Sequence, residues 1–564
     1  MRARWALVLL LCLGSPLLLA WAQRRPVEAR NGMVVSAHRL ASEAGVEILK
    51  KGGNAVDAAV AVGFALAVVY PEAGNLGGGG FMVIRLRDGS VYTLDYRETA
   101  PLRAHRDMYL DERGEYVPER SRIGYLAVGV PGSVAGLLEA HERFGRLSRA
   151  EVMEPAIRLA QEGFLLSRIA AENLNEAAPY FARFPGSRKY FLRPDGRPWQ
   201  EGDRFVQRDL AETLKRIRDH GRDGFYRGQT ADLIVAEMRR GGGLITHEDL
   251  ARYRPLWREP VRGTYRGYEI ISMGPPSSGG VALLQLLNMV EPYDLAAMGF
   301  HSSASIHLMA EAMRRVYADR AEFLGDPDFY PVPVPQLISK AYARHRMRDF
   351  DPERTTPSAQ VRHGNPLGYE SEQTTHYSIV DAEGNAVSCT TTLNGSYGSY
   401  VAVEGAGFLL NNEMDDFVAK PGVPNMFGLL GGEANAIAPG KRMLSSMTPT
   451  IVTRDGRLFM VIGTPGGSTI ITTVFQILVN VIDFGMNIQE AIDASRFHHQ
   501  WLPDVLYYEK RGLPRDVVEN LRRRGWQVVE RSGYSGRADG ILVGPDGRLY
   551  GGADPRGEDT AVGY

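Results

Sequence analysis

The chain has 564 residues, 44% hydrophobic and 23% charged, a globular balance that excludes a disordered chain, a collagen-like fibre and a polytopic membrane protein. Lys and Arg number 65 against 66 Asp and Glu, a net charge of -1, so no basic excess recommends nucleic acid or an anionic membrane as a partner.

In chain order, Arg2 and Arg4 precede an apolar run from Trp5 to about Leu19 and the ending Ala20-Trp21-Ala22, the pattern of a secretory signal cut before Gln23. The run is short for a membrane span and carries Gly14-Ser15-Pro16. The expectation is an exported protein, periplasmic or secreted, with no stable membrane span after processing. Cys12 leaves with the signal, so Cys389 remains alone and neither an internal disulfide nor a Cys-rich zinc site can form.

His38 to Lys51 has helical spacing and ends at Gly52-Gly53. Asn54 caps a second helix, Ala55 to Val69, apolar enough to be buried on all sides. After Asn75-Leu76-Gly77-Gly78-Gly79-Gly80, two β-rich runs, Phe81 to Leu86 and Val91 to Tyr96, flank Asp88-Gly89, a strong hairpin signal. From about Ser148 to Arg348 the pattern is mainly helical, with a capping box at Thr246 and Asp249 and an amphipathic helix from Ala304 to Leu324. Asp351 to Gln373 is polar and aperiodic and reads as an exposed flexible linker. Thr374 to Val380 and Ala386 to Leu393 then form a hairpin about Glu383-Gly384-Asn385; further hairpins use Asp455-Gly456 and Asp546-Gly547. Hairpins interleaved with buried helices favour antiparallel sheets covered by helices.

No H-E-x-x-H, G-x-S-x-G or Walker lysine occurs. His498 and His499 are adjacent and diverge in any regular backbone, so no metal site is expected there. Gly77 to Gly80 precedes a strand, which suits close backbone packing better than a phosphate cradle. Gly463 to Ser468 lies between a strand and an apolar helix and is either an oxyanion hole or an ordinary glycine turn. Asn411 to Asp416 gathers three carboxylates and two amides, fit for an ammonium group, a cation or a solvated loop. Arg97, Ser445 and Ser446, taken singly, read as a surface charge and a turn. Thr374 is the suggestive position: its hydroxyl needs a base, and a cut after Gln373 would supply its own α-amine, with an ordinary pKa of about 7.7–8.0. In isolation a threonine opening a strand is common.

Taken together, these segments resemble the γ-glutamyltranspeptidase family of the N-terminal-nucleophile hydrolases. The likeness runs from about Gly32 to Tyr564. It includes Asn75 to Phe81, Tyr96-Arg97-Glu98, Thr374-Thr375-His376-Tyr377-Ser378, Asn411 to Phe417, Leu444-Ser445-Ser446-Met447, Thr464 to Ser468 and Arg496 to Trp501. The resemblance implies an α+β, four-layer αββα sandwich built jointly by a large subunit (23–373, ending in the linker 351–373) and a small one (374–564). Both come from one precursor that cuts itself between Gln373 and Thr374. It implies Thr374 as nucleophile, Thr392 orienting its hydroxyl, and Gly466 and Gly467 donating to the oxyanion. Arg97, Ser445 and Ser446 would hold the donor's α-carboxylate, and Asn394, Glu413 and Asp416 its α-ammonium.

The implied reaction passes a γ-glutamyl group from glutathione or a related compound to water, an amino acid or a peptide, with no cofactor. In the lid, Pro421 to Ala436, Phe427 stands where many members carry a tyrosine that bonds the asparagine matching Asn394. Two alternatives are a glutaryl- or cephalosporin-type acylase on the same scaffold, against which Asp416 weighs, and a non-catalytic exported binding protein.

Overall fold

A computed structural model of the protein describes residues 24–361 and 374–564. The expected signal peptide, 1–22, and residues 362–373 of the expected linker, with Gln373, lie outside the described residues. Two seven-stranded sheets, antiparallel at every pairing, form the centre. In one, Thr375–Asp381 and Ala386–Thr392 pair as a hairpin between Gly32–Ser36 and Gly79–Arg85. In the other, Arg457–Gly463 lies between Thr450–Arg454 and Asp539–Val543. Asp455 and Gly456, with φ of 51° and 74°, make the tight turn that joins the first of these pairs, as their Asp-Gly sequence demands.

The period-two alternation of the strands divides the core into layers. Met33, Val35 and Val83 of one sheet meet Ile271, Ile451, Val461 and Ile541 of the other in the interior of the sandwich. Their neighbours Val34, Met82 and Ile84 point outward, into a cluster shared with the helix Ala55–Val69. On the far side, Ile270, Val452, Met460 and Ile462 pack with the helices Gly279–Val290, Ser303–Phe323 and Thr469–Ile482. The order of layers is thus helix, sheet, sheet, helix. Ala55–Val69 is buried at every position, and Asn54 and Asp57 close the expected cap reciprocally.

The middle region is mainly helical, as expected, with the strands Leu256–Arg258, Val261–Tyr265 and Tyr268–Ser272 set within it. Two expectations need correction. The helix Ser303–Phe323 is buried from Ser305 to Ala321 rather than amphipathic, and its charged side chains find partners: Glu311 pairs with Arg314 and Arg315, which also reach Asp504 and Asp349. The described start of the expected linker, 351–361, is anchored. Thr355 Oγ1 and Thr356 N donate to Glu311, and Trp501 Nε1 donates to the carbonyls of Ser358 and Val361.

Candidate active site

Thr374 opens the central hairpin, and its partner strand ends at Thr392, so register alone brings the two hydroxyls together. Their Oγ1 atoms are 3.5 Å apart, both residues are buried, and Asn394 N donates to Thr392 Oγ1 at 2.8 Å. His376 is no base for Thr374: its ring nitrogens engage Thr390 Oγ1 at 2.9 Å and Ser378 Oγ at 3.0 Å. Burial pushes its pKa down to about 3, leaving a neutral imidazole.

Beside Thr374, Arg457–Gly463 runs out into the glycine loop and the helix Thr469–Ile482 begins. Gly466 has φ 134° and Gly467 φ 51°; a Cβ on Gly467 would lie 2.5 Å from the Phe427 ring. Only glycine combines this backbone with that contact. The N-terminal N–H groups of the helix are the usual location of unsatisfied donors for an anion. By contrast, Gly77, Gly78 and Gly80 are packing glycines, since a Cβ on each would fall 2.0–2.4 Å from a backbone oxygen.

Thr374, Thr392, Asn394, Arg97, Glu413, Asp416, Ser445, Ser446, Phe427 and Gly467 all line one tight cavity of about 20 Å³, with Gly466 adjacent to Gly467 in the loop. This space is on the scale of about one or two waters, too tight for an amino acid as it stands. Arg97 directs its guanidinium at Glu413 and, at 2.5 Å, at Asp416, with Glu98 Oε2 3.7 Å away; it also donates to the carbonyls of Met443 and Leu444. Its five N–H donors are therefore largely committed to protein acceptors.

Three carboxyls thus surround one guanidinium. Burial pushes Asp416 up to about 6 and Glu98 up to about 7 against the pull of Arg97, and burial, reinforced by these two neighbours, lifts Glu413 well above the carboxylate range. Both oxygens of Glu98 and Oε2 of Glu413 are buried without a fixed donor among the described residues. The arrangement has acceptors to spare for a cation.

Sequence reasoning missed Arg320, which lines the same cavity. It donates to Ser446 Oγ at 3.1 Å and Ser278 Oγ at 2.9 Å, and no carboxylate pairs with it among the described residues. It sits near the end of the long buried helix, where periodicity gives no hint of a pocket. Glu98 was quoted only as part of a motif; its burial behind Arg97 gives it a place in the charge balance. Asn394 Nδ2 donates to Asn412 O at 3.1 Å and lies 3.5 Å from Met426 Sδ. The lid contact expected to be absent with Phe427 is thus supplied, in weaker form, by its neighbour. His498 and His499 lie elsewhere and diverge, His498 toward Thr472 and Gln500 and His499 toward Asp504.

A helix-sheet-sheet-helix sandwich with a buried threonine at the head of a central strand, beside a glycine loop, defines the class of the N-terminal-nucleophile hydrolases. The model of the Gamma-glutamyltranspeptidase family matches residues 41–564, and the chain belongs to that family. It is 49% identical over 540 residues, 96% of this chain and 93% of the relative, to the glutathione hydrolase proenzyme of Escherichia coli (strain K12). Among solved structures it resembles the cephalosporin acylase of Bacillus halodurans, with a TM-score of 0.84 at 30% identity over 96% of this chain and 97% of that one. It also resembles the γ-glutamyltranspeptidase of Helicobacter pylori, with a TM-score of 0.57 at 52% identity over 58% of this chain and 94% of that one.

Proposed function

We propose that this protein is an exported γ-glutamyltransferase and glutathione hydrolase that matures by cutting itself between Gln373 and Thr374. The observation that carries the reading is the Thr374 hydroxyl in one cavity with an excess of buried carboxyls. In maturation, Thr374 Oγ bonds to the carbonyl carbon of Gln373, the peptide C–N bond breaks, and water then hydrolyses the ester. Residues 23–373 and 374–564 become two chains, and Thr374 gains a free α-amine.

That amine accepts the hydroxyl proton when Oγ attacks the γ-carbonyl of a donor such as glutathione. Thr392 orients the hydroxyl, and the N–H groups of Gly466 and Gly467 stabilise the oxyanion, at roughly 3 kcal/mol per donor. The scissile C–N bond breaks, the amine leaves with the proton, and a γ-glutamyl ester remains on Thr374. Water or an amine then attacks the ester carbonyl and returns the oxygen to Thr374.

Asp416, Glu413 and Asn394 receive the donor's α-ammonium. Its α-carboxylate is held by Ser445, Ser446 and Arg97, and Arg320, which donates to Ser446, adds a second guanidinium. Phe427 covers the pocket. Steady-state rates on γ-glutamyl-anilide and glutaryl-anilide test the reading: strong preference for the first is expected, whereas equal rates would favour the acylase alternative that likeness to the Bacillus halodurans enzyme keeps in view. Thr374→Ala should yield a single uncut chain without turnover. Among the described residues no helix is long and apolar enough to cross a membrane. Export itself rests on the N-terminal pattern, and N-terminal sequencing of the mature protein tests it.

A further inference from the structure

The run Arg496 to Trp501 plays no part in the proposed chemistry, and its His498 and Gln500 do not line the nucleophile pocket. Both are buried, and they form the middle of a chain of hydrogen bonds. At one end stands Thr472, near the start of the helix Thr469–Ile482 that follows the glycine loop; its Oγ1 is 2.8 Å from His498 Nδ1. His498 Nε2 is 2.8 Å from Gln500 Oε1. Gln500 Nε2 in turn donates to two carbonyls of the lid, Phe427 O at 3.3 Å and Gly428 O at 3.1 Å. The chain thus joins the helix beside the glycine loop to the lid backbone.

Its direction is fixed. Gln500 must face the two carbonyls with its amide nitrogen, so its oxygen is an acceptor and His498 Nε2 must carry the hydrogen. Burial holds this imidazole neutral by pushing its pKa down to about 4, so Nδ1 is bare and accepts the Thr472 hydroxyl hydrogen. The Tyr317 ring seats His498 edge-on at 5.6 Å, and its hydroxyl donates to the carbonyl of Ser468, the residue after the two loop glycines. At the lid end, residues 425–429 form a turn closed on itself, because Asn425 Oδ1 accepts from Phe427 N at 3.0 Å and Leu429 N at 3.1 Å. The turn carries the Phe427 ring, which lines the nucleophile pocket against Gly467. It is slung between two anchors: Gln500 on one side, and on the other Asp415 and Asp416, which accept from Met426 N at 2.7 Å and Asn425 Nδ2 at 3.2 Å.

We propose that Gln500 is a positioning residue for the lid. Directed by His498 and Thr472, it holds the carbonyls of Phe427 and Gly428 so that the Phe427 ring covers an occupied pocket, and it ties that cover to the helix beside the glycine loop. A donor's ammonium at Asp416 competes with Asn425 Nδ2, so the anchor opposite Gln500 weakens as the pocket fills. Gln500 lies outside the pocket, keeps its bonds, and carries more of the hold when the ligand is in place. The inference rests on the proposed γ-glutamyl reading for the identity of that ligand.

Gln500→Met keeps the length of the side chain and removes its hydrogen bonds, Thr472→Val cuts the far end of the chain, and Thr472→Ser keeps the hydroxyl there. The purified proteins are compared by amide hydrogen exchange, by calorimetric titration with L-glutamate, and by kcat on γ-glutamyl-anilide. In Gln500→Met, exchange in the lid should rise about tenfold while the helix Thr469–Ile482 exchanges as before. The Kd for L-glutamate should rise about tenfold and kcat stay within about threefold, since Thr374 and the loop glycines are intact. Thr472→Val should move lid exchange and Kd the same way by about threefold, Thr472→Ser should match the wild type, and the Met and Val changes together should do no more than Gln500→Met alone. A lid that exchanges at the wild-type rate in Gln500→Met, a uniform rise across the chain, a loosened lid with unchanged Kd, or effects that add in full overturn the inference. If Gln500→Met does not fold, lid exchange in Thr472→Val against Thr472→Ser decides by the same criteria. A wild-type protein that neither binds L-glutamate nor releases anilide would instead sink the underlying γ-glutamyl reading.

Discussion

Two buried clusters of charge in this molecule use the same residue types to opposite ends. In the helix Ser303–Phe323, one carboxylate, Glu311, is held by two guanidinium groups, Arg314 and Arg315, with Thr355 Oγ1 and Thr356 N completing its hydrogen bonds. Each arginine finds a further acid, Asp504 at 2.8 Å and Asp349 at 2.9 Å. Around Arg97 the ratio is inverted, with Glu98, Glu413 and Asp416 sharing one guanidinium and three carboxyl oxygens left, among the described residues, without a fixed donor. A satisfied cluster holds the fold together, whereas one with surplus acceptors is ready for a cation from outside.

The pKa directions follow this division. Burial opposes ionisation in both places, yet Arg314 and Arg315 hold the Glu311 carboxyl below its usual value, while in the other cluster burial prevails and lifts Asp416 to about 6. A lowered carboxyl contributes stability above its usual pKa that is lost as pH falls. A raised one does the reverse, and Asp416 costs stability as pH rises from its ordinary 3.8 through about 6. An ammonium ligand removes that cost.

Arg97→Lys keeps the charge but not the fork that spans Glu413 and Asp416, and kcat/KM for γ-glutamyl-anilide should fall by about 100-fold or more. Asp416→Asn should lower that constant by about tenfold and narrow the preference over glutaryl-anilide, since the ammonium loses one ionised partner. In the wild type, kcat/KM for the donor should rise as pH increases through about 6, where Asp416 ionises, and the rise should flatten in Asp416→Asn. By the same sign, L-glutamate should raise the thermal unfolding midpoint more at pH 7 than at pH 5. Glu311→Gln should leave turnover per folded molecule near wild type while costing about 3 kcal/mol of stability, because it breaks a buried pair and strands two arginines. Equal activity losses in Glu311→Gln and Asp416→Asn would erase the distinction between the clusters.

Much of the scaffold was legible in the sequence because its signals are local. Asn54 and Asp57 cap a helix of small apolar residues, and Asp-Gly pairs set hairpins. Thr374 opens a strand whose hairpin register puts Thr392 opposite it. What stayed hidden depends on distant partners. The strands near Trp257 are masked by Arg258, Glu259, Pro260 and Arg262, which interrupt any β pattern. Residues 351–361 look like linker but are pinned by Glu311 and Trp501. Of the proposed donor pocket, the family resemblance implied Arg97, Asn394, Glu413, Asp416, Ser445 and Ser446. It could not reveal that Arg97 spends its donors on protein carboxylates and carbonyls, that Arg320 joins it from a helix, or that Met426 rather than Phe427 reaches Asn394.

Thr374 must act as a free chain end for this chemistry, and N-terminal sequencing of purified, catalytically active protein tests that most directly. Two chains are expected, the smaller beginning Thr374-Thr375-His376-Tyr377-Ser378. Full turnover from a single chain with no terminus at Thr374 would contradict it.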